Sequence, residues 1–85
     1  MAIPDAARKI GYNTPVTVGA RTLHVQTEVL GRDHLKIRTT VLERGVVRFT
    51  DTRDCSGDVT DLERIKEVAE AQHRAGVLKA NSAMV

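Results

Sequence analysis

The feature that most constrains the fold is a strict alternation of side chains within residues 20–50. Residues 23–29 read LHVQTEV, with an apolar or β-branched side chain at every second position. A period of two, rich in β-branched types, predicts a half-buried strand. One face of this strand is expected to pack on a core, and the other to present His24, Gln26 and Glu28.

The same alternation recurs in residues 35–42, LKIRTTVL, which predicts the next strand with Arg38 and Thr40 on the polar face. Gly31 belongs to a turn-forming run between these two strands, and Gly45 supplies a residue tolerant of positive φ before the following strand, 46–50. Such short connections favour antiparallel neighbours.

An earlier strand is predicted at residues 14–18, entered through Pro15 and left through a turn at Gly19. Because proline has no N–H to donate, this strand must either lie at a sheet edge or begin after Pro15. Residues 1–9 are expected to form a frayed tail or a single helical turn.

Beyond the fourth strand, the polar residues 51–58, DTRDCSGD, are typical of a loop. Thr60 and Glu63 then match a capping box, and apolar side chains follow at helical spacing. His73 and Arg74 suit the last turn of a helix, and Gly76 is expected to end it. Residues 77–85 show no clear period, and three alternatives are open for them: they extend the helix past Gly76, pack on a partner or remain disordered.

We therefore expect one α+β domain over residues 1–85: an antiparallel β-meander of three to four strands and one C-terminal amphipathic helix packed on one face. The meander is placed within 10–53, a loop at 54–59, the helix at 60–76 and a tail at 77–85. The polar sheet face is either simply hydrated or a binding surface. Its expected members are His24, Gln26, Glu28, Arg38, Thr40 and Arg48.

Composition and spacing argue against catalysis and metal binding. The chain has no glycine-rich phosphate loop, no nucleophile elbow and no metal-ligand spacing among its three histidines. Asp51, Asp54 and Asp58 lack the spacing of a calcium loop and are expected to satisfy turn backbone groups. Cys55 has no flanking signature of a nucleophile and is expected to be a plain loop thiol. We expect no enzyme activity, no cofactor and no metal.

The single cysteine, the absence of a signal peptide and the absence of an apolar run of membrane-spanning length together predict a cytoplasmic protein with no membrane partner. The formal net charge is only +2, and its 13 basic and 11 acidic residues are interleaved. Basic residues of the meander could bind nucleic acid, but acidic residues lie among them and aromatic rings are nearly absent. Those basic residues are Arg21, Lys36, Arg38, Arg44 and Arg48.

Residues 12–50 resemble a family of short bacterial proteins, the RomX-like proteins of the polarity system of gliding bacteria. The resemblance rests on Tyr12-Asn13-Thr14, on the strand Leu23-His24-Val25-Gln26-Thr27-Glu28, on Ile37-Arg38-Thr39-Thr40-Val41 and on Gly45. It does not extend to the DTRDCSGD segment or to the C-terminal helix.

The resemblance implies a non-enzymatic adaptor that acts with a response regulator, RomR, on a Ras-like GTPase, MglA. It implies promotion of the GTP-bound state by nucleotide exchange, and recruitment to the cell poles. His24, Gln26 and Glu28 are the expected contacts. A nucleic-acid-binding module with a basic sheet face is the alternative, and dimerisation through an edge strand is a third possibility.

Overall fold

The computed structural model describes residues 5–31, 34–55 and 61–82. A short 3₁₀ helix (Asp5–Lys9) precedes four strands and one α-helix. These elements are β1 (Gly11–Val18), β2 (Arg21–Leu30), β3 (Leu35–Glu43), β4 (Val46–Cys55) and α1 (Leu62–Asn81). The strands form one antiparallel sheet in the order β1-β2-β3-β4, and α1 packs on one face of it. The predicted α+β meander with one C-terminal helix is confirmed.

Side-chain burial in the two central strands follows the predicted period of two. The residues of β2 and β3 that face α1 are buried, and their neighbours are exposed or half-buried. We call the α1-facing side the inner face and the opposite side the outer face. The buried inner-face residues of these strands are Leu23, Val25, Thr27, Val29, Leu35, Ile37, Thr39 and Val41.

Two-residue turns set the register at both ends of the meander. Val18 pairs with Arg21 across Gly19, whose φ of +60° is accessible to glycine without strain. Between β3 and β4, Arg44 and Gly45 have φ values of 53° and 79°. Two successive positive φ values are the pattern of a type I′ hairpin turn, whose twist matches that of the flanking strands.

β1 begins at Gly11, three residues before the predicted start, and includes Pro15 opposite His24. The missing N–H of Pro15 is tolerated because β1 has β2 as its only neighbour in the sheet. Of the alternatives open for the N-terminus, the structure has the helical turn, as the 3₁₀ helix. Its Ala7 is fully buried in the core.

The predicted loop begins neither at residue 51 nor at residue 54, because β4 continues to Cys55. Asp51 pairs with Thr39 and Cys55 with Leu35, so this segment completes the ladder along the whole of β3. Its polar, turn-forming residues are accommodated in an edge strand, where strand preference depends on context more than on residue type. Residues 56–60 lie outside the described residues, and with them Asp58 and the predicted capping role of Thr60.

A β-bulge in β4 changes which residues face the core. The register shifts between Val41, opposite Phe49, and Leu42, opposite Val47, so that Arg48 is the extra residue. Val47 is consequently on the outer face and 55% exposed, although strict alternation from Phe49 would place it on the inner face.

The predicted helix end at Gly76 is wrong by five residues. Asp61 is the N-cap, with its side chain accepting from the Glu63 N–H at 3.2 Å, and the helix continues to Asn81. Ser82 then closes it by donating its N–H to Leu78 O at 3.1 Å. The helix passes through Gly76 because this residue lies against the sheet, where it permits a close approach rather than a turn.

The inner face and α1 enclose two apolar clusters. The first contains Ala7, Val29, Leu35, Ile37, Ile65 and Ala69. The second contains Val16, Leu23, Val25, Val41 and Ala80. Both clusters are aliphatic, and the two aromatic residues of the chain border them, Tyr12 at the first and Phe49 at the second.

A hydrogen-bonded polar group joins α1 to three strands. His73 Nε2 lies 2.8 Å from Thr14 Oγ1, and His73 Nδ1 lies 2.7 Å from Thr27 Oγ1. Thr27 is in turn bonded to Thr39 at 2.8 Å. Threonine hydroxyls can both donate and accept, so a neutral imidazole is satisfied at both nitrogens. His73, predicted for the last turn of the helix, is instead buried at its middle.

We predict that Gly76→Ala destabilises the protein despite the better helix propensity of alanine. An added Cβ would lie 2.7 Å from Thr39 Cγ2 and 3.2 Å from Val25 Cγ1. Overpacking costs about 1–3 kcal/mol, which exceeds the gain of about 1 kcal/mol in propensity. Urea unfolding measures the difference.

The matched control is Gly76→Ala combined with Thr39→Ser. Serine removes Cγ2 and keeps the hydroxyl. The double variant should therefore be only slightly less stable than Thr39→Ser alone. An increase in stability in the single variant Gly76→Ala would contradict the close packing.

We also predict a pH dependence from His73. Its burial lowers the pKa below the ordinary value of 6.5. The unfolded chain therefore takes up the proton first, so the free energy of unfolding is constant above pH 6.5 with respect to this group and falls as the pH drops below it. Urea unfolding at a series of pH values around and below 6.5 measures this dependence. The free energy of unfolding should fall with pH in the wild type and in His24→Gln, and His73→Gln should lose this contribution. An unchanged slope in His73→Gln would exclude this residue as its source.

Candidate protein-binding face

Five of the six predicted site residues meet on the outer face at the centre of the sheet. Gln26 lies opposite Thr40, and Glu28 lies opposite Arg38, across the β2–β3 ladder. His24 continues the same row and is opposite Leu42. The pairing places these side chains on one surface, as the alternation predicted, because residues two apart in a strand share a face.

This part of the sheet is open to solvent. His24, Gln26 and Glu28 are exposed, and Arg38 and Thr40 are half-buried. Among the described residues, both helical elements pack on the inner face, where Ala7 and Ile65 share one cluster. The outer face is therefore left uncovered by residues 5–31, 34–55 and 61–82.

Arg48, the sixth predicted residue, is held in an ion pair at the β-bulge. The bulge takes Arg48 out of the alternation, and its guanidinium donates to Glu43 Oε1 at 3.1 Å. Glu43 has the inner-face parity of β3 and also accepts two hydrogen bonds of 3.0 Å from Arg21. Arg48 thus belongs to an ion-pair group with Glu43 and Arg21.

That group also determines the protonation of Glu43. The pKa of Glu43 is lowered chiefly by its hydrogen bond with Arg21, and further by Arg48. Reciprocally, the hydrogen bond with Glu43 raises the pKa of Arg21. Glu43 is therefore ionised near neutral pH and is shared by two guanidinium groups.

The central outer face is close to electrically neutral. Arg38 donates through Nε to Glu28 Oε1 at 3.1 Å, with a second bond from its Nη2 to the same oxygen. Both side chains are about half exposed, at 42% and 51%, so the pair contributes about 1 kcal/mol at most to stability. The pair instead presents a donor and an acceptor in fixed positions beside Gln26.

The structure adds three polar neighbours that the local pattern did not identify. Asn13 of β1 lies opposite Gln26. Thr50 and Thr52 of β4 lie opposite Thr40 and Arg38. Their membership depends on strand order and register, which are long-range properties. The only local indication was the threonine and asparagine content of the two flanking segments.

The HVQTE strand divides its residues between structure and surface. Val25 and Thr27 are buried, and Thr27 bonds both His73 and Thr39. His24, Gln26 and Glu28 project from the opposite face. Packing and hydrogen bonding within the protein explain Val25 and Thr27. Among the three outer residues, only Glu28 has a side-chain partner in the described structure, which is Arg38.

Other residues singled out for chemistry lie apart. His24 is on β2, His34 follows the β2–β3 connection, and His73 is on α1. Within the described residues, no group of three His, Cys, Asp or Glu side chains could hold a metal ion. Asp51 and Asp54 are strand residues of β4 rather than loop ligands.

Cys55 ends β4 and is half-buried against the first apolar cluster, so it is a strand residue and not the expected loop thiol. Burial, followed by the charge of Asp54, raises the pKa of its thiol. A raised pKa leaves less thiolate, the nucleophilic form, at neutral pH.

In the described chain, no helix is both long enough and apolar enough to cross a membrane.

No family model matches the sequence, and neither a curated protein nor a solved structure matches it.

We predict that the outer residues can be changed without unfolding the protein. His24→Ala, Gln26→Ala and Thr40→Ala should each alter the free energy of unfolding by about 0.5 kcal/mol or less, since exposed sites rarely contribute more. Thr27→Val should cost about 1–3 kcal/mol, because it removes the hydrogen-bond partner of His73 Nδ1 and of the buried Thr39 hydroxyl. Urea unfolding of the four variants measures the change in the free energy of unfolding for substitutions on each face of the sheet. Equal losses of stability for substitutions on the two faces would contradict this assignment of a structural inner face and a replaceable outer face.

Proposed function

We propose that this protein is a non-enzymatic adaptor or regulator that binds a partner protein through the outer face. The observation that supports the proposal is the gathering of His24, Gln26, Glu28, Arg38 and Thr40 on one exposed sheet surface. These are also the outer residues of the segments that resemble the RomX-like proteins. The partner proposed on that resemblance is a Ras-like GTPase of the MglA type, with a response regulator of the RomR type as the second component.

The chemistry of the face suits recognition of a partner's main chain and polar side chains. Gln26 offers both a donor and an acceptor, Thr40 offers a hydroxyl, and the Glu28–Arg38 pair offers one charge of each sign. A surface with balanced charges gains specificity from its hydrogen-bond geometry more than from long-range attraction.

Promotion of the GTP-bound state requires no catalytic pocket on this chain. A regulator can change nucleotide exchange by binding one conformation of the GTPase switch segments more tightly than the other. Under this proposal, His24, Gln26 and Glu28 contact those segments, and the response regulator recruits the complex to the cell pole.

The test is nucleotide release from MglA with and without this protein and RomR. We expect the protein to accelerate release, and Gln26→Ala combined with His24→Ala to weaken the effect at least about tenfold, equivalent to 1.4 kcal/mol of binding. The matched control is Glu67→Ala combined with Arg74→Ala, on the exposed side of α1, which should leave the acceleration unchanged.

Release that is unaffected by the wild-type protein, together with no binding to MglA or RomR, would contradict the proposed partner. Acceleration that survives the double substitution on the outer face would contradict the proposed surface.

Nucleic-acid binding is the second candidate, favoured by the adjacent outer-face positions of Lys36 and Arg38. Against it, the Arg38, Arg48 and Arg53 side chains each pair with a carboxylate. A DNA-binding face should show affinity that falls steeply with salt and that weakens in Lys36→Gln. Duplex DNA titrated at several salt concentrations would separate the candidates, since negligible binding or a flat salt dependence removes this one.

A further inference from the structure

A groove runs between the edge strand β4 and the second half of α1, on the side of the sheet opposite the outer face. Its cavity has a volume of about 260 Å³. One wall is formed by alternate residues of β4 and the other by one side of α1. The residues used below are Phe49, Asp51 and Arg53 of β4, and Gln72, Ala75 and Lys79 of α1.

The β4 edge is the more suitable of the two sheet edges for accepting another strand. Both β1 and β4 have a single neighbour within the sheet. Pro15 interrupts the row of N–H donors in β1, and proline is a common means of protecting an edge. β4 contains no proline over its ten residues, so donors and acceptors continue along it.

Gln72 contributes an unused acceptor beside the groove. Its Nε2 donates to the main-chain carbonyls of Ile37 and Asp51, at 2.9 and 3.1 Å, which fixes the orientation of the amide. A flipped amide would instead direct its oxygen at two carbonyl oxygens. Gln72 is 2% exposed, and its Oε1 accepts no hydrogen bond from the described residues. A buried acceptor of this kind costs free energy until a donor reaches it.

The charges lining the groove favour an anionic ligand. Arg53 and Asp51 pair with each other at 2.9 Å. The ammonium of Lys79 lies 4.1 Å from the centroid of the Phe49 ring, and within the described chain no ion pair joins it to a carboxylate. Lys79 is therefore the cation left to attract a carboxylate at the mouth of the groove.

We infer that this groove binds an extended, acidic segment of a partner protein. The segment adds to the free edge of β4 as a fifth strand, through main-chain hydrogen bonds. One of its side chains enters the cavity beside Gln72, and a carboxylate nearby pairs with Lys79. A groove between an edge strand and a helix suits this mode, in which the edge provides affinity and the pocket selects the side chain.

This surface is independent of the outer face. The two lie on opposite sides of the sheet, so occupation of the groove leaves His24, Gln26 and Glu28 accessible. The inference does not rest on the proposed function, and either surface can be tested without the other.

The experiment selects binders to the full-length protein from a displayed library of random linear peptides. We expect enrichment of peptides that combine β-branched residues with Asp or Glu. The binding of the enriched peptides is then measured by fluorescence anisotropy. Ala75→Met should weaken it at least about tenfold, because the longer side chain fills the groove. Ala75 is exposed and methionine is a good helix former, so this variant should fold normally.

Two further variants make the measurement specific. Ala71→Met substitutes another exposed alanine of α1 that does not line the groove, and it should bind like the wild type. Lys79→Gln should weaken binding about three- to fivefold, the effect of one exposed charge contact of up to 1 kcal/mol.

Three results would overturn the inference. The first is no enrichment, and the second is enriched peptides that bind Ala75→Met as tightly as Ala71→Met. The third is self-association of the wild type that Ala75→Met abolishes, which would make a second copy of the chain the occupant.

Discussion

The hydrogen bonds of His73 to Thr14 and Thr27 are the interaction on which the arrangement of the molecule depends. They join the middle of α1 to β1 and β2 between two apolar clusters, and Thr39 extends the group to β3. Gly76, one turn further along α1, lets the helix approach Thr39 and Val25 closely. Because polar partners in a core must be satisfied together, this group fixes the position of the helix along the sheet more specifically than aliphatic packing alone. The inner face is occupied by structural contacts as a result, and the outer face remains free.

Much of this architecture follows from local sequence, and its exceptions have identifiable causes. The alternation in β2 and β3 predicted their faces correctly because each side chain responds to burial on one side of the sheet. The extent of β4 was missed because Asp51, Thr52, Arg53 and Asp54 have the composition of a turn, and only pairing with β3 makes them a strand. Gly76 was mistaken for a helix end because its close approach to Thr39 is a long-range contact. The bulge that places Val47 on the outer face has no local signal.

The same reasoning refines the HVQTE strand as a functional feature. Its resemblance to the RomX-like proteins includes residues of both faces, yet Val25 and Thr27 are explained by packing and hydrogen bonding within the protein. His24, Gln26 and Glu28 are the part that a partner could contact. The register adds Asn13, Thr50 and Thr52 to this surface, and the Arg38 and Arg48 side chains are each paired with a carboxylate. Because nucleic-acid phosphates require unpaired cations, these ion pairs are the reason that we propose a protein partner first.

Our central proposal is that the outer face, and not the helix side, binds a Ras-like GTPase. Backbone amide chemical shifts of the labelled protein, recorded while unlabelled MglA is added, test this claim most directly. The account predicts that the perturbed amides centre on His24, Gln26, Glu28, Arg38 and Thr40, with those of α1 unchanged. Perturbations confined to α1 and the β4 edge, or none at a saturating concentration of MglA, would contradict it.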